Sequence, residues 1–127
     1  MSAWNSDDLS TIGDATEIRI APRNRDGALR RPTTIWVVRN GDDLYVRSAN
    51  GPEGHWYRAA ESTHRGRIEA AGLARDVSFV NTTDPVVNDE IDAAYLAKYG
   101  STPWAEPMTR PGPRGTTLRV LPATAEA

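Results

Sequence analysis

The sequence contains no cysteine and only two histidines among its 127 residues. The absence of cysteine excludes disulfides, thiolate catalysis and the usual structural zinc sites. The two histidines, His55 and His64, are too few for a histidine-rich metal centre, and we predict no metal site. Ser48 has no evident histidine partner in the sequence, so a hydrolase triad is unsupported.

Long runs of one residue class are also missing. Charged residues make up 25% of the chain, the net charge is -2, and no basic run is longer than Arg30-Arg31. Nucleic acid is therefore not expected as a partner, because binding it depends on clustered positive charge. No apolar run approaches the roughly 20 residues of a membrane-spanning helix, and the N-terminus lacks the charged start and apolar block of a signal peptide. We expect a cytoplasmic protein that does not enter a membrane.

A chain of this length has the size of one domain with a core of its own. We expect a single domain over residues 1–127, with an N-terminal helical arm at 1–15 and a frayed tail at 122–127. Ser6 can cap the helix of the arm and Gly13 can end it.

The stretch that follows residue 30 has the strongest structural pattern. Residues 30–39 are strongly apolar and β-branched, as in a strand buried on both faces. Asn40-Gly41 comes next and favours a tight hairpin turn, because both residues accept a positive φ. Residues 44–47 then alternate between apolar and other side chains, as in the second strand of a hairpin.

One end of this hairpin carries groups that can bind an anion. Antiparallel pairing would bring Arg31 and Arg47-Ser48 to the same end, and arginine can donate two parallel hydrogen bonds to a phosphate. The loop Gly51-Pro52-Glu53-Gly54 leads into a helix, whose positive end would add to such a site. The alternative is that these arginines are solvated strand residues paired with nearby acids.

Local signals place the other elements. Ala71-Gly72 predicts a second tight hairpin, and Asp84-Pro85 marks the start of a long helix. Residues 101–115 are rich in proline and glycine and are expected to form a loop. The other predicted strands are 17–20, 67–70, 75–80 and 116–121, and the predicted helices are 53–62 and 85–99. About six hairpin-linked strands would hide their edges by closing into an antiparallel barrel.

Several short motifs in this order resemble a known group of enzymes. The motifs are Gly27-x-x-Arg30-Arg31-Pro32, Gly41-Asp42-Asp43-Leu44-Tyr45-Val46, Ser48-x-x-Gly51 and Trp56-Tyr57-Arg58. They resemble the split β-barrel flavin and deazaflavin oxidoreductases, a group that includes pyridoxamine phosphate oxidase. Residues 18–121 resemble more closely a bacterial family of small proteins classed as a domain of unknown function. The resemblance implies a mainly β protein with two or three helices, built on an antiparallel six-stranded split β-barrel of the FMN-binding type.

The resemblance also implies a cofactor site. In the flavin group, basic and hydroxyl groups of the paired central strands and the following loop hold the phosphate of the cofactor. Trp36 and Trp56 are candidates to wall a flat ring, although tryptophan in a strand or helix is more often core. The complete predicted cofactor-binding set is Arg31, Trp36, Arg47, Ser48, Asn50, Trp56, Tyr57 and Arg58.

Three functions remain open at this stage. The first is a flavin- or deazaflavin-dependent oxidoreductase of small molecules, and the second is a non-catalytic barrel that binds a planar anionic ligand such as a flavin or heme. The third is a partner-binding module without a cofactor. The deazaflavin enzymes follow their Trp-Tyr with Asn-Leu after one residue, where this chain has Arg58-Ala59-Ala60. This departure counts against a deazaflavin and leaves FMN or no cofactor open, and a deazaflavin is kept as a candidate beside them.

A homodimer is predicted as well. A small barrel fills its interior with its own side chains, so a flat ligand would lie outside it and a second subunit would cover the ligand. The resemblance likewise implies two-fold dimers with ligands at the seam. Aromatic residues and methionine, which are enriched at interfaces, exceed what one small core needs: Trp4, Tyr95, Tyr99, Trp104 and Met108. Alternatively, Trp4 and Trp104 plug the two ends of one barrel.

Overall fold

The computed structural model describes residues 3–123, and seven antiparallel strands in this range form one sheet. The strands are β1 Ile18–Pro22, β2 Thr33–Ile35, β3 Val38–Asn40, β4 Asp43–Val46, β5 Arg65–Ala70, β6 Leu73–Asn81 and β7 Leu118–Pro122. The helices are α1 Ser6–Gly13, α2 His55–Thr63, α3 Pro85–Tyr99 and α4 Pro111–Arg114, with short 3-10 helices at Gly51–Glu53 and Glu106–Thr109. None of the helices in the described range is long and apolar enough to cross a membrane.

The sheet curls because two consecutive strands form its opposite edges. The strand order is β2-β1-β5-β6-β7-β4-β3, so a flat sheet would hold β2 and β3 roughly 29 Å apart. Only Trp36 and Val37 separate the two strands, and three peptide units from Ile35 to Val38 span at most about 11 Å. The two edges must therefore approach each other, which produces a curled half-barrel.

The prediction of one strand over residues 30–39 is wrong. The segment divides into β2, which pairs with β1, and β3, which pairs with β4. At the break, the backbone N–H of Val37 donates to the Tyr99 hydroxyl at 3.3 Å, and that hydroxyl lies 3.1 Å from the Val37 carbonyl. A side chain from α3 thus replaces a neighbouring strand as the partner of this backbone.

The two hairpin turns differ from each other. Between β3 and β4, Asn40 lies opposite Asp43, and of the turn residues only Gly41 has a positive φ, of 62°. The prediction that Asn40 also takes a positive φ is wrong, because Asn40 still belongs to the strand. Between β5 and β6, Ala71 and Gly72 have φ values of 51° and 82°, and the predicted tight turn is confirmed.

Apolar side chains fill both faces of the sheet. Leu44 and Val46 face a larger cluster under α1 and α2, and Tyr45 faces a smaller cluster under α3. Trp4 belongs to the larger cluster, and its indole N–H donates to the Val120 carbonyl at 2.9 Å. The smaller cluster consists of Val38, Tyr45, Ile91, Tyr95, Tyr99, Ala105 and Met108.

This second cluster changes the interpretation of the aromatic residues. Tyr95, Tyr99 and Met108, which the sequence suggested as surplus, are buried between α3 and the sheet. Trp4 is also buried, whereas Trp104 is 69% exposed. The sequence argument assumed one core, but a sheet covered on both faces needs two.

Within residues 3–123, two segments expected to be irregular contain regular structure. Residues 101–115, predicted as a loop, contain the second 3-10 helix and α4. Asn5 rather than Ser6 caps α1, accepting from the Asp8 N–H at 2.8 Å. β7 continues to Pro122, which lies opposite Val77, so the strand extends into the segment expected to fray. Residues 124–127 of that predicted tail, and residues 1–2 of the arm, lie outside the described residues.

Candidate functional site

Three adjoining surface depressions lie along the first turns of α2. Their volumes are about 440, 360 and 450 Å³, and His55 lines all three. Arg30 lines the first two, and Trp56 and Thr33 line the last two. We call this continuous surface the α2 groove. Its lining residues are Pro22, Arg30, Arg31, Pro32, Thr33, Asn50, Glu53, Gly54, His55, Trp56, Arg58 and Ala59.

Gly54 fixes where α2 begins. It precedes the first helical residue, His55, in an extended conformation. A Cβ atom on Gly54 would collide with the hydroxyl of Ser48, which is buried directly beneath it. A glycine at this position therefore lets the chain pass over Ser48, so that α2 can present His55 and Arg58 to the groove.

The arginines of the groove have no carboxylate partner within residues 3–123. Within residues 3–123, no carboxylate oxygen lies within 4.0 Å of a side-chain nitrogen of Arg30, Arg31, His55 or Arg58. Among the described residues, the guanidinium of Arg30 has one hydrogen-bond acceptor, the side-chain amide oxygen of Asn24 at 3.2 Å. The first turn of α2 also has no side-chain cap, and its positive end adds to the field of these arginines. The groove is therefore suited to an anion.

Trp56 supplies an apolar wall. It is 9% exposed, and its ring meets that of Tyr57 edge to face, with centroids 6.2 Å apart. Most of the indole belongs to the larger core cluster, and the remainder lines the second and third depressions. Trp56 thus packs in the core and also lines the groove.

Arg47, predicted to bind the cofactor, lies elsewhere. It is 1% exposed, and all five of its N–H donors are directed at protein atoms. The acceptors are Thr117 Oγ1 at 2.9 Å, Asp92 Oδ1 at 2.5 Å, the Met108 carbonyl at 2.9 Å, and the Asn88 carbonyl and Oδ1 at 3.2 and 3.0 Å. No donor remains for a phosphate in this arrangement.

The expectation that Arg31, Arg47 and Ser48 share a pocket does not match the structure. It assumed that the strand after Arg31 pairs with β4, but β2 pairs with β1 instead. Arg47 comes directly after β4, on the same face of the sheet as Tyr45, and its side chain contacts α3. The groove lies beside α2. Ser48 is buried, and its backbone N–H donates to Thr116 Oγ1 at 2.8 Å.

Two aromatic candidates are likewise placed away from the groove. Trp36 is partly buried against the smaller cluster and stacks on Tyr99, with ring centroids 3.9 Å apart and planes 2° apart. Tyr57 donates to Glu61 at 3.0 Å, and burial, with this hydrogen bond, raises the pKa of Tyr57 to about 12. Neither ring lines any of the three depressions.

The structure thus brings four of the predicted residues together: Arg31, Asn50, Trp56 and Arg58. It adds Arg30 and His55, which the prediction left out. Both had a sequence signal, because Arg30 precedes Arg31 and His55 stands at the first position of the helix that carries Trp56 and Arg58.

Comparison with known sequences identifies the family. The sequence pattern of a group described as an uncharacterized protein conserved in bacteria (DUF2255) matches residues 8–120. The chain belongs to this family. The match confirms the resemblance to a small bacterial family of unknown function that the sequence motifs indicated. No curated protein matches this DUF2255 protein in sequence.

Solved structures share the fold of this DUF2255 protein over most of its length. The heme storage protein HutZ from Vibrio cholerae is 14% identical with a TM-score of 0.66, over 98% of this chain and 93% of HutZ. An F420 reductase is 15% identical with a TM-score of 0.59, over 91% and 92% of the two chains. An FAD-binding protein from Mesorhizobium loti is 15% identical with a TM-score of 0.58, over 95% and 91%. The likeness confirms the predicted mainly β split barrel, which has seven strands where about six were expected.

Proposed function

We propose that this DUF2255 protein binds a flavin or deazaflavin in the α2 groove and acts as an oxidoreductase of small molecules. One observation carries the proposal: Arg30, Arg31 and Arg58 line the groove without a carboxylate partner in residues 3–123. Proteins of the same fold are named for F420 and FAD, which supports a cofactor of this class.

The residues of the groove fit a phosphate-bearing planar group. Arginine forks match phosphate oxygens, and Trp56, Pro32 and Pro22 give the second depression an apolar wall. When bound, such a cofactor supplies the redox chemistry, and the protein binds and orients it. Arg31 and Arg58 would hold the anionic tail of the cofactor, and Trp56 and Thr33 would contact the ring.

A homodimer accompanies this proposal. The barrel interior is filled by the larger core cluster, so a ligand in the groove lies on the outside and is covered by one chain on one side only. A second copy of the chain would cover the other side. Trp104, the one exposed residue of the aromatic set named above, is a candidate for such an interface.

Non-catalytic heme binding is the second candidate. It is favoured by His55, an imidazole that lines all three depressions and is exposed. Histidine is a common ligand of heme iron, and HutZ, which shares this fold, is named as a heme storage protein. The arginines of the groove would then face the carboxylates of the porphyrin.

Titration with FMN, FAD, the deazaflavin F420 and hemin tests the proposal. We expect a flavin or deazaflavin to bind, and Arg31→Ala or Arg58→Ala to weaken it by about tenfold, the effect of losing one charge-assisted hydrogen bond. Arg110→Ala is the matched control, because Arg110 is exposed and its one ion pair among the described residues is with Glu106.

Two readouts separate the candidates. Oxidation of a reduced nicotinamide by the flavin-loaded protein supports the oxidoreductase. A hemin Soret band that His55→Ala abolishes, without any flavin binding, supports the heme protein instead. The proposal of a cofactor site fails if the folded protein binds none of these ligands.

A further inference from the structure

We infer that the α2 groove contains two neighbouring anion subsites joined by Arg30, so that its ligand carries two anionic groups, such as a diphosphate, and not a single phosphate. The inference rests on the proposed function in that the same groove binds the cofactor, and it specifies the class of cofactor tail. Two side chains define the subsites separately: Arg58 in the first depression and Arg31 in the second.

The distribution of the arginines supports two subsites. Arg58 lines only the first depression, which His55 and Arg30 complete. Arg31 lines only the second, together with Arg30, His55 and apolar or hydroxyl groups. Arg30 and His55 therefore lie between Arg58 and Arg31, and a single phosphate placed at one end would leave the arginine at the other end without an anion.

The charge balance supports the same conclusion. Three arginines face one groove, and none has a carboxylate within 4.0 Å in residues 3–123. Elsewhere on the surface, Arg23 and Arg67 share Asp76 at 3.2 and 3.1 Å. Neighbouring like charges repel each other, and an anion bound between them offsets that repulsion. A phosphate monoester, with about two negative charges, occupies one position in the groove. Two linked anionic groups can occupy two positions and so lie close to all three arginines.

The third depression gives the ligand a direction. Its lining includes Asn50 and Glu53 but no arginine. Glu53 disfavours an anion there and can accept a hydrogen bond from a neutral N–H group. Because Trp56 and Thr33 line both the second and the third depressions, we place the neutral, hydrogen-bonding head of the ligand over Asn50 and Glu53 and its anionic tail over Arg31 and Arg58.

Calorimetry with inorganic pyrophosphate and orthophosphate at constant ionic strength tests the inference. We expect pyrophosphate to bind the full chain about tenfold more tightly, and Arg31→Gln and Arg58→Gln each to weaken pyrophosphate by about tenfold. Only one of the two variants should weaken orthophosphate binding.

Arg110→Gln controls for loss of surface charge, and thermal unfolding confirms that each variant is folded. Glutarate, used as a second probe, shows whether paired carboxylates meet the same two arginines.

The outcomes separate this inference from the proposed function. If either variant leaves pyrophosphate affinity unchanged, or if pyrophosphate binds no better than orthophosphate, the two-subsite inference is overturned even when a flavin binds. If pyrophosphate depends on both arginines while FMN, FAD, F420 and hemin all fail to bind, the subsites are supported and the proposed cofactor class is wrong.

Discussion

Arg47 connects three parts of the molecule through one side chain. Its guanidinium joins β4 to α3 through Asn88 and Asp92, and to the C-terminal segment through Met108 and Thr117. Asp92 in turn accepts from Arg114 of α4 at 2.5 Å. A buried charge of this kind is stable only when its donors are all matched, and this matching explains why a polar residue occupies a core position.

We therefore predict that Arg47→Ala lowers the free energy of unfolding by about 3 kcal/mol, because it leaves buried acceptors unmatched. Arg47→Lys should recover only a minor part of this loss, since lysine has fewer donors and no planar fork. Urea unfolding followed by circular dichroism measures both changes. A loss below about 1 kcal/mol for the alanine variant would contradict the structural role assigned to Arg47.

At the scale of elements, α2 depends on the close approach of Gly54 to Ser48. The φ and ψ of Gly54, -61° and 135°, suit any residue, so the requirement for glycine is one of space alone. The atom that fills this space is the Ser48 hydroxyl. The orientation of the groove residues on α2 thus depends on a contact with the end of β4.

This contact predicts a specific pair of variants. Gly54→Ala should destabilise the protein by about 1–3 kcal/mol through overpacking, and Ser48→Ala in the same chain should restore most of that loss. Gly112→Ala is the control, since a Cβ at Gly112 meets no atom within 4 Å. Urea unfolding of the single and double variants gives the coupling energy. If the double variant is no more stable than Gly54→Ala alone, the collision is not the cause.

At the scale of the whole molecule, the four tyrosines are protected from ionisation. Burial raises the pKa of Tyr57 and Tyr99 to about 12 and raises the pKa of Tyr45 and Tyr95 above the ordinary value. In the unfolded chain a tyrosine titrates near about pH 10. The folded state therefore holds these protons more tightly, so its stability is complete below pH 10 and falls as the pH rises toward 12.

We accordingly expect alkaline unfolding to be cooperative. Phenolate absorbance at 295 nm should rise together with the loss of circular dichroism, above about pH 10. Tyr99→Phe serves as a comparison, because it removes one of the protected hydroxyls along with its bonds to Val37 and Thr16. Phenolate absorbance that develops near pH 10 while the fold persists would contradict the burial of these rings.

Local features of the sequence determined much of the fold. Asp84 caps α3, accepting from Val86 N–H at 2.8 Å, and the helix runs over Pro85–Tyr99 as predicted. The tight turn at Ala71-Gly72 and the alternation of side chains along β4 are also as the sequence predicts. Capping, turn formation and alternation depend on residues within a few positions of each other, and the sequence shows such residues directly.

The tertiary structure alone decided which residues form the candidate site. Arg47 and Arg31 look alike in the sequence, but the bonds that bury Arg47 come from residues 41 to 70 positions away. The break at Trp36-Val37 likewise depends on Tyr99, 62 positions further along the chain. An arginine is free to bind a ligand only if no distant acceptor takes its donors. Half of the predicted site therefore lies outside the groove, whereas Arg30, Arg31, His55 and Arg58 face solvent within it.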